Sequence, residues 1–346
     1  MSIDLPTTSL PTIAERAAAP AVCPLPDPAL GLTWRPMTTD DVPALTALLT
    51  RIETADALPY RTSEPEVGEK FDGDWKDVER NTLLGLDADG VPRAWAEVDQ
   101  PPGDTRVVRA FADGGVDPAW RRRGVGTAVV AWSHARARQV LAASGKDLPA
   151  RIASYVSDQV VDAARLLTRA GMTPVRYYAE MRRPLDAPLP EVAVPAGVRV
   201  VPWAPEHDEG ARLAHNAAFS DHWGSEPRTP EQWAHGRSMF APTWSLVALD
   251  DADQVVGYQL SGRYEADWEV NGYTAGYTEL LGVVREWRGR GLASALLAAT
   301  MAAYRADGMQ FAELGVDTAN RTGAHRLYTA LGYEVFDSST MFTVEL

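Results

Sequence analysis

Arg288-Gly-Arg-Gly-Leu-Ala293 and its counterpart Arg121-Arg-Arg-Gly-Val-Gly126 decide how this sequence folds. Each stretch follows a strand-like segment and precedes a segment rich in alanine, leucine and valine, and their first arginines lie 167 positions apart. Glycine permits backbone conformations that other residues avoid, and the free amides at a helix N-terminus bind phosphate groups. The sequence therefore predicts two anion-binding turns, each placed between a strand and a helix.

The segments around the two turns also correspond to each other, which indicates a duplicated unit. Matching first strands are predicted at 32–36 and 198–202, and matching hairpins at 83–95 and 246–258. Matching amphipathic helices are predicted late in each half, at 163–170 and 324–331. Each half thus combines strands with helices in the same order. We predict an α/β (α+β) fold with two tandem domains and one mixed sheet in each domain.

A chain of 346 residues is long enough for two domains that each bury a core. We expect a flexible N-terminal tail over 1–31, a first domain over 32–184, a proline-rich linker over 185–197 and a second domain over 198–346. The tail holds the one cysteine of the sequence, Cys23, so no internal disulfide can form. This cysteine usage favours a reducing, cytoplasmic compartment.

Composition and charge limit the classes of ligand and partner. The net charge of -14 opposes nonspecific attraction to nucleic acid or anionic membranes, and the arginine run 121–123 is too short for a nucleic-acid patch. No apolar stretch approaches the roughly 20 residues that span a bilayer. The 6 histidines show no metal-ligand spacing, so we expect no metal. The expected protein is a monomer or homodimer without nucleic-acid or membrane partners.

With its two Arg/Gly turns the sequence resembles the GNAT acetyltransferase superfamily, whose acyl-CoA motif Arg/Gln-x-x-Gly-x-Gly/Ala lies between the fourth strand and the third helix. The resemblance covers both halves and is more complete in the second. The tandem arrangement is similar to the mycothiol synthase branch, and that likeness is one of architecture, not of substrate. The resemblance implies acetyl-CoA, or another acyl-CoA, as the co-substrate.

By this resemblance, the turn amides bind the CoA pyrophosphate and the preceding strand pairs with the pantetheine arm. The implied CoA-binding residues of the second half are Leu281, Val283, Arg288, Gly289, Arg290, Gly291, Leu292, Ala293 and Asn320. Those of the first half are Val116, Arg121, Arg122, Arg123, Gly124, Val125 and Gly126. The arginine side chains of a turn can add charge-assisted hydrogen bonds to phosphate.

The second half also carries a candidate catalytic acid. Tyr328 follows Asn320 by eight residues, which is similar to the family's spacing, and its phenol would protonate the departing CoA sulfur. The alternative is a core aromatic residue, because Tyr328 shares the apolar face of its predicted helix. In the first half Leu167 stands at the aligned position and cannot donate a proton, and Gln159 replaces Asn320.

Glu279, on the strand before the second turn, is the candidate general base for the acceptor amine. A solvated or salt-bridged carboxylate is the alternative, and Ala112 stands at this position in the first half. In some relatives, including the mycothiol synthase branch, the acid stands at the position of Tyr277, two residues earlier on the same strand face. Both the base and the substrate therefore stay open at this point.

The loop 219–226 combines acidic, imidazole and aromatic side chains where GNAT proteins usually receive the acceptor. Asp221, His222 and Trp223 are therefore candidate acceptor-binding residues, together with Tyr277. A structural role, in which the loop caps a helix and fills a groove, fits the same pattern.

The predicted function is the transfer of an acetyl group from acetyl-CoA to a primary amine of a small molecule, by direct transfer in the second half. The first half would bind CoA structurally, without catalysis, or be vestigial. Two alternatives stay open. One is a non-catalytic acyl-CoA sensor or scaffold, and the other is catalysis in the first half, with water or substrate groups in place of the tyrosine.

Overall fold

The computed structural model describes residues 11–319 and 324–346, which form one mixed sheet with helices packed on it. The strands are β1 (Thr33–Arg35), β2 (Thr82–Leu86), β3 (Pro92–Asp99), β4 (Val108–Val116), β5 (Ala150–Ser157), β6 (Thr173–Pro184), β7 (Val198–Pro202), β8 (Leu246–Asp250), β9 (Val255–Gly262), β10 (Ala275–Val283), β11 (Phe311–Asp317) and β12 (Glu334–Glu345). The α-helices are α1 (Ile13–Ala17), α2 (Val42–Ala55), α3 (Glu64–Gly68), α4 (Val78–Asn81), α5 (Val125–Ala143), α6 (Val161–Arg169), α7 (Asp208–Ala218), α8 (Pro230–Ala234), α9 (Glu265–Asn271), α10 (Leu292–Ala306) and α11 (Ala324–Ala330).

The two halves of the chain repeat the same order of strands around the two Arg/Gly turns, and α9, between β9 and β10, has no counterpart between β3 and β4. The first turn connects β4 to α5, and the second connects β10 to α10. Alanine and leucine, which favour helices, dominate α10, and its buried face includes Leu292, Leu296 and Met301. The predicted α/β class with two tandem units is confirmed.

The closing strands of the two halves are exchanged within a single sheet of 12 strands. Their order is β1-β2-β3-β4-β5-β12-β6-β11-β10-β9-β8-β7. The last strand of the second half, β12, lies between β5 and β6 of the first half, and β6 lies between β12 and β11. The prediction of a separate mixed sheet in each half was wrong, because β6 and β12 hydrogen-bond to each other and join the halves into one sheet.

Parallel strand pairs open a cleft in each half. The register of β4 with β5 ends at Phe111 and Ala153, although both strands continue beyond this point. In the same way, the register of β10 with β11 ends at Thr278 and Leu314. The paired strands separate after these residues, and each Arg/Gly turn follows the strand that borders the gap.

Residues 11–31, for which the sequence predicts part of a flexible tail, are packed against the first half. Ile13 and Ala17 of α1 are buried in the apolar cluster formed by α5 and the first strands. Arg16 donates hydrogen bonds to the carbonyl groups of Leu148 and Leu346. The tail prediction does not hold for these residues, because the short α1 presents an apolar face to α5.

The segment 185–197 connects the halves without a helix or strand. Leu185 is buried, and Leu189 and Val192 pack on the apolar cluster formed by α10, α11 and the neighbouring strands. The connection is therefore anchored on the second-half core.

Within 11–319 and 324–346, no helix is both long enough and apolar enough to cross a membrane.

Candidate active site

The two Arg/Gly turns have the same backbone geometry. Gly289 and Gly291 have φ angles of 74° and 84°, and Gly291 is the N-cap of α10. In the first half Arg122 and Gly124 have φ angles of 63° and 86°, and Gly124 is the N-cap of α5. A Cβ added at Gly289 or Gly291 would meet no protein atom within 4 Å, so space is open beside this backbone. Each turn thus ends at a helix N-terminus, whose free amides and partial positive charge favour an anion.

The first arginine of each turn ties the turn to its own half. Arg288 Nε donates to the Val283 carbonyl at 3.2 Å, and Arg288 Nη1 lies 3.1 Å from Asp221 Oδ2. In the first half Arg121 Nη1 makes the matching contact with Asp56 Oδ1 at 2.6 Å. Both guanidinium groups therefore hold the turns in place through contacts within the protein.

The third residue of each turn is an arginine that stacks on a tryptophan. Arg290 Cζ lies 4.6 Å from the centre of the Trp287 ring, and Arg123 Cζ lies 5.0 Å from that of Trp120. The sequence predicts that such arginines can add hydrogen bonds to phosphate. In the structure Arg288 contacts Asp221, whereas the ring contact of Arg290 leaves its N–H donors available to an anion, beside the backbone amides and the helix N-terminus.

The strand before the second turn has one edge in the sheet and one edge on the cleft. Leu281 and Val283 pair with β9, while no described residue of β11 is in register with β10 after Thr278. An open strand edge accepts an extended ligand by β-strand addition. In the first half β4 has a similar open edge from Phe111 to its end at Val116.

A β-bulge distinguishes β10 from β4. Thr278 pairs with Ser261 and Leu280 pairs with Leu260, so Glu279 is an extra residue in the ladder. The pairing of β3 with β4 continues without such a shift. A bulge redirects side chains and disrupts the local pairing. Glu279 therefore departs from the regular alternation of side chains between the two faces of β10.

The Glu279 carboxylate accepts a hydrogen bond from the Tyr264 hydroxyl. Gly262 makes room for this pair, since a Cβ there would stand 2.5 Å from Glu279 Oε1. Glu279 is an exposed residue that lines a cavity. Reduced hydration beside the cavity walls raises the pKa of Glu279, and the hydrogen bond from Tyr264 and the charge of Arg228 oppose part of the rise. A carboxylate with a raised pKa in a cavity fits the role of a general base.

Known proteins are similar to this chain in sequence. The model of the acetyltransferase (GNAT) family matches residues 210–333. A mycothiol acetyltransferase of Frankia alni is 32% identical over 325 residues, which cover 88% of this chain and 92% of the relative. Another, of Thermobispora bispora, is 34% identical over 270 residues, covering 75% and 82%. The chain belongs to the GNAT family of acetyltransferases.

Solved structures share the architecture of this GNAT enzyme. A GCN5-related N-acetyltransferase from Sphaerobacter thermophilus matches it with a TM-score of 0.70 at 27% identity, over 93% of this chain and 97% of that one. A tandem GNAT protein from the clavulanic acid biosynthesis pathway matches its fold with a TM-score of 0.64 at 19% identity, over 91% and 98%. The protein is an N-acetyltransferase with tandem GNAT units, and enzymes of this family use acetyl-CoA or another acyl-CoA.

The cavity beside Glu279 has walls from both halves of the GNAT enzyme. Its volume of about 610 Å³ is in the range of small-molecule sites. Phe111 and Tyr178 come from the first half, whereas Trp223 and Arg228 come from the second.

Within the described residues, no group of three or more His, Cys, Asp or Glu side chains is arranged to hold a metal ion.

The loop 219–226 forms one wall of this cavity and docks on the first half. The Glu226 carboxylate is buried and accepts the Thr105 N–H at 2.8 Å. The Trp223 ring lies 4.4 Å from Arg151 Cζ and 4.1 Å from Arg176 Cζ. The cavity beside Glu279 is therefore completed by residues of the first half.

The structure separates the four candidate acceptor-binding residues. His222 and Trp223 line the cavity. Asp221 is instead held at the Arg/Gly turn, and the Tyr277 hydroxyl donates to Glu180 Oε2 at 2.9 Å, away from the cavity lining. Asp221 and Tyr277 each have a polar partner that is distant in the sequence, and their contact with the acceptor stays a prediction.

Tyr328, the predicted acid, is buried in the core of the second half. Its ring is 6.1 Å from that of Tyr333, and 8% of the residue is exposed. Burial raises the pKa of Tyr328 to about 12, so the phenol keeps its proton at neutral pH. Tyr328 does not line the cavity that contains Glu279. Asn320, predicted to bind CoA, lies outside the described residues.

The first half has a cleft of its own, of about 750 Å³, at the gap between β4 and β5. The cleft extends from the Arg/Gly turn to a charged group in which Lys70 Nζ lies 3.1 Å from Glu97 and 3.7 Å from Asp113. Ala112 and Leu167 stand at the positions of the second half's candidate base and acid. This half therefore has space for a ligand and lacks counterparts of Glu279 and Tyr328 at the aligned positions.

Sequence reasoning missed three side chains around the candidate site. Tyr264 is bonded to Glu279, Arg228 lines the cavity, and Tyr178 forms part of the first-half wall. No motif marks Tyr264 or Tyr178, since each reaches the site through the fold. Arg228 could have been found from the sequence, because it lies two residues after the loop 219–226.

Proposed function

We propose that the second half transfers the acetyl group of acetyl-CoA to a primary amine of a small molecule in a direct reaction. The observation that carries this proposal is the position of Glu279, which stands on a β-bulge next to an open strand edge and faces a cavity of about 610 Å³. The relatives named mycothiol acetyltransferase support a small-molecule acceptor.

We assign donor binding to the second Arg/Gly turn and the open edge of β10. Gly289 and Gly291 leave space beside the backbone, and the N-terminus of α10 favours the pyrophosphate of CoA. The pantetheine arm would pair with the strand edge at Leu281 and Val283. This direction brings the thioester towards the bulge, where a backbone amide near Leu281 would stabilise the developing oxyanion.

In the proposed reaction the amine nitrogen attacks the thioester carbonyl carbon, so a C–N bond forms and the C–S bond breaks. Glu279 accepts the proton of the amine, directly or through one water molecule. Tyr328 is the proposed donor of the proton that the departing CoA sulfur receives, and its raised pKa keeps that proton available at neutral pH. The products are an N-acetylated amine and free CoA.

The first half would bind CoA without catalysis. Its Arg/Gly turn has the backbone geometry of the second turn, and its cleft of about 750 Å³ opens at that turn. Ala112 and Leu167 cannot exchange protons, so the chemistry is assigned to the second half alone. The first half also contributes to the acceptor site through the wall that contains Phe111 and Tyr178.

Thiol release from acetyl-CoA, measured with a panel of amines, tests this proposal. Gly291→Glu and Gly124→Glu place a negative side chain at equivalent positions of the two turns, so each variant is the control for the other. We expect Gly291→Glu to abolish amine-dependent thiol release and Gly124→Glu to retain most of it, with circular dichroism confirming that both fold. The reverse result would place catalysis in the first half. CoA binding by the wild type without turnover of any amine would support the sensor alternative.

A further inference from the structure

Two arginines of the cavity beside Glu279 are neutralised by carboxylates of the protein. Arg109 Nη2 lies 2.7 Å from Asp104 Oδ1. Arg237 contacts both carboxylate oxygens of Asp208 at 3.0 Å. Because each guanidinium already has an anionic partner, neither position needs a ligand to balance its charge.

Arg228 lines the same cavity and differs from both. Among the described residues, no carboxylate oxygen lies within 4.0 Å of its guanidinium nitrogens, and the guanidinium donates no hydrogen bond. Its main chain is nevertheless fixed, since the Arg228 N–H donates to Asn216 Oδ1 at 2.8 Å and its carbonyl accepts from Asn216 Nδ2 at 3.0 Å. The guanidinium carbon lies 5.8 Å from the centre of the Trp233 ring. The backbone that carries this cation is therefore held in place by the protein.

A half-buried guanidinium that has lost hydration and has no carboxylate within 4.0 Å among the described residues is unfavourable. Loss of hydration lowers the pKa of Arg228 from its usual value. The charges of Arg109 and Arg237 act in the same direction, and Tyr258 and the charge of Glu279 oppose them. Arginine has so high an ordinary pKa that the group stays charged near neutral pH. An anion that entered the cavity would supply the missing partner.

We propose that Arg228 binds an oxyanion of the acceptor, either a carboxylate or a phosphate group, while the acceptor amine reaches Glu279 in the same cavity. The planar guanidinium suits both groups, because its parallel N–H donors match two oxygens at once. This inference rests on the proposed function and narrows the acceptor to amines that also carry a negative charge. The aromatic side chains of Trp223 and Trp233, which line the same cavity, would contact the apolar part of such a molecule.

Matched acceptor pairs test the inference. Glucosamine and glucosamine 6-phosphate differ by a phosphate, and an L-amino acid and its carboxamide differ by a carboxylate. We expect kcat/KM of the wild type to favour the anionic member of at least one pair by tenfold or more. In Arg228→Gln this preference should fall by about tenfold to a hundredfold, the range of a hydrogen bond to a charged group. Arg228→Lys should retain part of it, and Arg305→Gln, an exposed change on α10, should retain all of it.

The outcomes separate this inference from the proposed function. A wild type that acetylates amines without preferring the anionic member of either pair would overturn the role of Arg228 and leave the acetyltransferase assignment standing. A wild type that acetylates no amine would overturn the proposed function itself. A structural role for Arg228 predicts that Arg228→Gln lowers the melting temperature and slows both members of a pair equally. Inorganic phosphate, which needs no variant, should inhibit the wild type in competition with the anionic acceptor.

Discussion

Replacement of Glu279 by glutamine is the most direct perturbation of the proposed chemistry. The amide keeps the volume of the side chain and can still accept the Tyr264 hydrogen bond, but it cannot take a proton. A positioned general base contributes about 10²–10⁴-fold to the rate, so we expect kcat at pH 7 to fall by at least about a hundredfold. Affinity for acetyl-CoA should not change, because the donor is assigned to the turn and the edge of β10.

The pH profile adds a second, independent signature to this variant. In the wild type kcat/KM should rise with pH through the pKa of Glu279, which reduced hydration beside the cavity walls raises above its ordinary value. An α-amine with a pKa near 8 is about one-tenth neutral at pH 7 and mostly neutral at pH 9. The variant should therefore recover about tenfold between these pH values, because free amine no longer requires the base.

The measurement is steady-state thiol release from acetyl-CoA between pH 6 and pH 9.5, with one amine acceptor varied from below its KM to saturation, so that both kcat and kcat/KM are obtained. Glu269→Gln, an exposed change on α9, is the matched control and should behave as the wild type. Retention of more than half of the wild-type kcat by Glu279→Gln at pH 7 would refute the assignment of the base. A deficit that is constant across pH would show that Glu279 positions the substrate and does not take its proton.

Three further outcomes are expected. Tyr264→Phe removes a hydrogen bond that lowers the pKa of Glu279, so the acidic limb of the kcat/KM profile should move to higher pH, and an unchanged limb would contradict this contact. Tyr328→Phe should lower kcat by about 10²-fold or more while acetyl-CoA binding, measured by calorimetry, stays the same, and full activity across pH would exclude Tyr328 as the acid. The pieces 1–184 and 198–346, expressed separately, should each fail to give a soluble folded monomer by size-exclusion chromatography, because β6 and β12 would lose their partners, whereas co-expression should restore the protein.

The turns were predictable because their geometry is local. Glycine at positions 289 and 291 indicates backbone that needs positive φ, and the structure has φ angles of 74° and 84° there. The following run of alanine and leucine indicates a helix, and α10 begins at Leu292. A resemblance over both halves then extended this local pattern to the family. None of these inferences required knowledge of which residues meet across the chain.

The acceptor side was predictable only in part, because long-range contacts decide it. The sequence predicts that the loop 219–226 receives the acceptor, and in the structure His222 and Trp223 of this loop line the cavity with Glu279. The carboxylate of Asp221 belongs to the turn, however, because the guanidinium of Arg288 lies 3.1 Å away. Charged residues find their partners through the fold, so a loop's composition indicates a site without showing which of its side chains face the ligand.

The exchange of β6 and β12 gives the first half a function that does not depend on chemistry of its own. Strands of similar length and similar alternation give no sequence signal for the strand with which they pair. The sequence therefore predicted two separate sheets. In the structure β6 borders β11 of the second half, and its Glu180 accepts the Tyr277 hydroxyl two residues before the candidate base. β6 also carries Tyr178 to the acceptor cavity. The first half, which contains neither Glu279 nor Tyr328, thus completes the sheet of the second half and the wall of the cavity beside Glu279.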